Sequence, residues 1–134
     1  VIRRKEMKSV IKTVGVIFAV ILLSCGAVYA GTSYTVYNLI VGRFNGNGYT
    51  YSQEKAVTGT AGMLNSEFVG GTYVVDARME GEYVAPWIRD VTDNDFRALT
   101  GYYKLTAGMD IRVHFSNDWN TPVAVQVIGT WKSN

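Results

Sequence analysis

The chain has 134 residues, 48% of them hydrophobic and 18% charged, with 13 Lys+Arg against 11 Asp+Glu, two Pro, one His and one Cys. That composition leaves room for one domain with an apolar core and excludes disordered, collagen-like and disulfide-stapled chains. With no cysteine or histidine cluster for zinc and no glycine-rich phosphate loop, metal-dependent and nucleotide-dependent enzymes are also disfavoured.

The first thirty residues differ from the rest. Residues 1–12 are basic, residues 13–23 form an apolar run interrupted only by Thr13 and Gly15, and residues 24–30 are small and neutral. This is the order of a secretory signal peptide, and eleven apolar residues fall well short of the roughly 20 that span a bilayer. Val28-Tyr29-Ala30 offers small residues for cleavage, leaving Gly31 as the first mature residue. Leu22-Leu23-Ser24-Cys25-Gly26 resembles the lipobox of bacterial lipoproteins, which gives lipidation at Cys25 as the alternative. Arg3-Arg4 can be encoded as a ribosome-binding AGG-AGG upstream of Met7, so translation is expected to start at Met7 in a bacterium. Loss of residues 1–30 removes five positive charges and one negative, leaving 8 Lys+Arg against 10 Asp+Glu and a net charge of −2. No basic stripe remains for nucleic acid, no membrane-spanning segment is expected in the mature chain, and residues 31–134 are read as one domain.

Within that domain the periodicity is two. The run 34–44 is apolar on both faces, as expected of a central strand, and Asn45-Gly46-Asn47-Gly48 is a hairpin signal before Tyr49 and Tyr51. Residues 52–68 alternate poorly and are left as strand, short helix or loop. Tyr73, Val75, Ala77 and Met79 alternate with Asp76, Arg78 and Glu80. Ile111, Val113 and Phe115 alternate with Arg112, His114 and Ser116, while Val123, Val125, Val127, Gly129 and Trp131 share the last apolar face. Turns are expected at 70–71, 80–81, 92–95, 107–108 and 116–118. About eight short strands with no convincing helix predict an all-β fold, an antiparallel β-sandwich of jelly-roll type. Residues 103–117 resemble a recurrent jelly-roll hairpin, too generic to indicate a family.

Few residues suggest chemistry. His114 has Ser116 and Asp110 or Asp118 nearby in sequence, but positions i and i+2 on a strand stand roughly 7 Å apart, too far for a base and its nucleophile. A surface histidine beside Arg112 is the expectation. Asp90, Asp93 and Asp95 form an oxygen-rich segment that suits Ca²⁺ or, equally, an acidic turn; Asn117 and Asp118 would join it only if the fold brings two loops together. Glu80 and Glu82 flank Gly81 and read as a solvated hairpin tip rather than an acid/base pair, which needs a cleft between its carboxyls.

Residues 31–134 carry three Trp, eight Tyr and four Phe, more than a small sandwich must bury. Tyr49 and Tyr51 are expected on one strand face, Tyr102 and Tyr103 on opposite faces, and Trp87 and Trp119 at loops. Aromatic platforms with polar neighbours bind sugar rings or partner surfaces. The expected function is therefore that of a secreted, non-catalytic module binding an extracellular or cell-envelope ligand, with carbohydrate among the candidates, through Tyr49, Tyr51, Trp87, Trp119, Arg112 and His114. Two alternatives stand beside it: a secreted antibacterial or toxin-like protein, and an exported hydrolase using Asp/Glu. No cofactor beyond the Ca²⁺ at Asp90, Asp93 and Asp95 is anticipated. Lipidation at Cys25 would instead tether the protein to the outer face of the cytoplasmic membrane.

Overall fold

A computed structural model describes residues 31–134, so the expected leader, Met7 and Cys25 lie outside the described residues. Nine strands follow in order: β1 (Thr35–Val41), β2 (Asn47–Tyr49), β3 (Gln53–Glu54), β4 (Gly62–Val69), β5 (Val75–Glu80), β6 (Ile88–Val91), β7 (Asp95–Leu99), β8 (Asp110–Asn117) and β9 (Val125–Lys132). They form two antiparallel sheets, ordered β1-β9-β4-β7 and β2-β8-β5-β6, with β3 also pairing to β8. Among the described residues there is no helix, and hence none long and apolar enough to cross a membrane. The architecture is all-β and consistent with a β-sandwich.

The period-two readings predict the core. Val75, Ala77 and Met79 of β5, Ile111, Val113 and Phe115 of β8, and Val125, Val127 and Trp131 of β9 are all buried between the sheets. Tyr37 of β1 meets Phe115 across the sandwich with ring centroids 5.0 Å apart. That approach requires Gly129, the cross-strand partner of Tyr37, because a Cβ there would lie 2.6 Å from the tyrosine oxygen. Val123, by contrast, precedes β9 and is exposed.

Polar side chains close one margin of the sandwich. Gln53 and Lys55 alternate inward from β3 and the residues after it, and both reach the end of β9 in the opposite sheet. Gln53 Nε2 donates to the carbonyls of Trp131 (3.0 Å) and Ser33 (3.3 Å), while its Oε1 accepts from the Ser133 N–H (2.8 Å). Lys55, 1% exposed, donates from Nζ to Thr60 O and Oγ1, Ser133 O and Asn134 O at 2.7–2.9 Å. Burial pushes its ammonium pKa down to about 8, so it still carries its proton at neutral pH. The stretch 52–68 thus resolves into β3, a connection organised around Lys55, and β4, with no helix.

Four local expectations are corrected. β1 is an edge strand rather than a central one; Val36 and Ile40, whose presence made both faces look buried, are 57% and 56% exposed. The Asn-Gly segment does turn the chain, with Phe44 and Asn45 at φ of 48° and 62°, but it carries the chain between sheets, and β2 pairs with β8 instead of β1. Tyr102 and Tyr103 lie in a turn with their rings edge to face at 5.1 Å, so strand alternation does not separate them. Residues 103–109, read as the first arm of a hairpin, are turns leading into β8.

Candidate functional site

The outer face of the β2-β8-β5-β6 sheet gathers the polar residues that alternate with its core. Register places Tyr49, His114 and Arg78 side by side across β2, β8 and β5, and sets Arg112 opposite Glu80. Trp87, just before β6, leans over the same face. A continuous stack results: Arg112 lies 3.8 Å from the Tyr49 ring centroid, Tyr49 and His114 are 4.6 Å apart, His114 and Trp87 4.9 Å, and Arg78 sits 4.2 Å over Trp87. The guanidinium groups at its two ends are attracted to the Tyr49 and Trp87 rings through the ring quadrupole, and His114 packs between those rings, edge-on to Trp87.

Glu80 anchors this stack. Its Oε2 accepts from Arg112 Nε (3.0 Å) and Nη2 (2.6 Å), and its Oε1 lies 3.0 Å from His114 Nδ1 and 3.7 Å from Arg78 Nη2. Burial alone would raise the Glu80 pKa, but the Arg112 hydrogen bonds and the Arg112 and His114 charges outweigh it and hold the carboxyl below its ordinary value. For His114, burial and the Arg78 and Arg112 charges push the pKa down against the pull of Glu80. The ring's Nε2 is engaged by Asn47 Oδ1 at 2.7 Å. His114 is therefore a buried histidine with both nitrogens committed, where a surface residue was expected, and Glu80 is its orienting carboxylate rather than part of a solvated hairpin tip. Ser116 Oγ donates to the Asn117 carbonyl at 3.3 Å and not to His114, and among the described residues no serine is bonded to that ring.

The same Glu80–Arg112 pair forms the floor of an open cleft of about 680 Å³. Its walls come from the β5–β6 turn at Gly81 and Glu82 and from the segment Thr106–Asp110 that leads into β8, with Ser52 at one end. The carboxylates of Glu82 and Asp110 are exposed there, and Met109 supplies the apolar patch.

Four of the six expected ligand-binding residues, Tyr49, Trp87, Arg112 and His114, come together on this sheet. The other two stand apart from the stack: Tyr51 is 92% exposed just beyond β2, and Trp119 is 74% exposed between β8 and β9. The rings of Tyr49 and Trp87 are covered by guanidinium and imidazole groups, so they stabilise the cleft floor and are not open platforms. Asn47 and Arg78 escaped the sequence reading as site residues, and Glu80 was weighed there only as part of a solvated hairpin tip. The available signal was the acidic and basic alternation on β5 and β8, which becomes informative only once those strands are paired.

The acidic segment divides. Asp93 Oδ1 accepts from the Val69 N–H (2.6 Å), and Asp95 Oδ2 accepts from the Thr92 N–H (3.2 Å) and Arg97 Nη1 (3.3 Å), so both brace the turn as Asp does. Asp90 is turned away from them: it has φ of 57° and lies where the β5–β6 register slips. There it joins Asp76 and Asp118, with one carboxylate oxygen of each within 4.8 Å of the others. The grouping of Asp90, Asp93 and Asp95 expected for Ca²⁺ is thus not formed, although Asp118 does approach Asp90. Asp76 already accepts from Arg89 Nη1 (2.6 Å) and the Asp90 N–H (3.1 Å), which offsets part of the charge.

No family model, no curated protein and no solved structure matches this chain.

Proposed function

We propose that this chain is an exported, non-catalytic binding module of jelly-roll topology that holds a polar ligand, a carbohydrate of the extracellular or cell-envelope environment, in the cleft above Glu80 and Arg112. The sheet orders β1-β9-β4-β7 and β2-β8-β5-β6 agree with the interleaving that two Greek keys produce. The observation that carries the functional reading is the cleft itself, open and lined by Ser52, Glu82, Asp110 and Arg112 around a small apolar patch. Hydroxyl-rich ligands suit such a lining, because carboxylates accept and guanidinium donates hydrogen bonds along a shallow surface. A hydrolase fits less well. Its general acid needs a raised pKa, whereas Glu80 is held low and spent on Arg112 and His114.

Titration calorimetry against a panel of soluble cell-wall glycans tests this reading. Binding should weaken at least about tenfold, or ~1.4 kcal/mol, in Glu82→Gln/Asp110→Asn, whose exposed side chains leave the fold intact. Trp119→Ala should bind normally. The opposite pattern, with loss only in Trp119→Ala, would move the site to the β8–β9 connection and end the cleft proposal.

Export with cleavage after Ala30 belongs to the same proposal. Intact mass of the protein from culture medium and from washed membranes should give a soluble species beginning at Gly31. A diacylglycerol-modified species beginning at Cys25 would make it a tethered surface protein instead.

A further inference from the structure

The two outer faces of the sandwich differ in charge. The face that floors the cleft carries Arg78, Glu80, Arg112 and His114, whereas the outer face of the β1-β9-β4-β7 sheet is built mostly from apolar and neutral side chains. Register sets Val36, Thr130, Asn65 and Phe96 in one row across its four strands, with Ile128 and Phe68 in the next. Val36, Ile40 and Phe96 are more than half exposed, and Phe68 is 40% exposed. Only two outward residues of this face are charged. Lys132 lies on one side of the Thr130 row, opposite Met63, and Glu67 lies on the other side as the extra, exposed residue of the β4 bulge. Among the described residues neither forms an ion pair.

We infer that this face packs on the same face of a second copy, about a two-fold axis that runs across the strands along the Val36–Thr130–Asn65–Phe96 row. An axis in this direction reverses the strands, so Lys132 of each copy comes over the end of the sheet that holds the partner's Glu67. An axis parallel to the strands would bring Lys132 to Lys132 and Glu67 to Glu67, so charge complementarity selects the first arrangement. Residues on the axis meet their own copies, Val36 on Val36 and Phe96 on Phe96. Met63 comes to the partner's Phe68, a favourable contact of thioether and aromatic ring.

The area fits a dimer. Four strands of five to eight residues give the face a footprint of about 450 Å². The relief of the side chains raises the accessible area above that footprint, so a pair buries the ~1,000 Å² or more that marks a specific interface. Aligned sheets of this kind pack face to face with interdigitated side chains, and no strand has to leave its present partners. The cleft lies on the opposite sheet, so the inference is independent of what occupies it.

Sedimentation of the purified native protein tests it, with circular dichroism to show that each variant keeps its fold. Wild type should dimerise with a Kd in the micromolar range or below. Phe96→Arg sets two guanidinium groups together at the axis and should weaken the dimer about a hundredfold. Lys132→Glu and Glu67→Lys should each weaken it about tenfold, because the symmetry repeats the contact, whereas Lys132→Glu/Glu67→Lys should recover most of that loss. A protein that stays monomeric across the micromolar range would overturn the inference. So would a dimer that Phe96→Arg leaves intact, or one whose double reversal is no tighter than the single ones. A monomer that floats with phosphatidylcholine vesicles, and loses this in Phe96→Arg, would assign the face to lipid and overturn it as well.

Discussion

Replacing Lys55 with Met is expected to destabilise the protein by about 3 kcal/mol or more, a loss of about 15 °C in melting temperature for a domain of this size. Methionine matches the stem of lysine and fills the same space, so packing contributes little to the change. What disappears is the set of four hydrogen bonds from Nζ to Thr60, Ser133 and Asn134. Carbonyl oxygens turned toward that ammonium would be left without a donor, and each unpaired buried group costs about 1–3 kcal/mol. Because those acceptors belong to the end of β9 and to the connection before β4, the variant should also expose them selectively. Hydrogen exchange at residues 55–60 and 131–134 should accelerate before the rest of the sandwich opens. Global unfolding within 0.5 kcal/mol of wild type in urea would show that Lys55 is a tolerated burial and not a fastening.

The second large effect is expected at Glu80. Changing it to Ala removes the carboxylate that faces Arg112, His114 and Arg78, and leaving such partners uncompensated costs about 3 kcal/mol. Glu82→Ala, two residues away and exposed, should lie within about 0.5 kcal/mol of wild type. The same cluster sets the acid response. His114 has its folded pKa below the ordinary 6.5, so the unfolded chain takes up that proton first and stability falls as pH drops through 6.5. Glu80 has its folded pKa below 4.5, so a further loss follows as pH drops through 4.5 toward its lowered value. Both losses run in the same direction, each with a slope of at most about 1.4 kcal/mol per pH unit. Urea titrations between pH 7 and pH 5 should show His114→Gln flattening the first part of this decline. An unchanged slope in that variant would mean that the ring titrates alike in the folded and unfolded chains.

The contrast between Glu80 and Glu82 shows what the one-dimensional pattern contained. Alternation along residues 73–80 and 111–116 assigned each side chain to the inner or outer face, and those assignments predicted Val75, Ala77, Met79, Ile111, Val113 and Phe115 as core. Aromatic richness, not alternation, put Tyr49 and Trp87 among the candidates, and with Arg112 and His114 they converge on one sheet. Nothing in that pattern distinguished a glutamate clasped by arginine and histidine from one in water, because both flank the same glycine.

What the sequence determined by itself was local: strand content, the division of each strand into two faces, and most turn positions. These follow from the two-residue pleat and from the backbone preferences of Gly, Asn and Asp, which act within a few residues. Sheet order and register came from tertiary structure alone. β1 looked central because its outer residues are apolar, yet pairing made it an edge; Asp90 looked like a neighbour of Asp93 and Asp95, yet a register slip turned it toward Asp76 and Asp118. Nothing beside Lys55 in the chain marks it for burial; the end of β9, far along the sequence, supplies its acceptors. In each case the deciding partner lies far along the chain, and contacts of that kind depend on how whole strands pack rather than on the residues beside them.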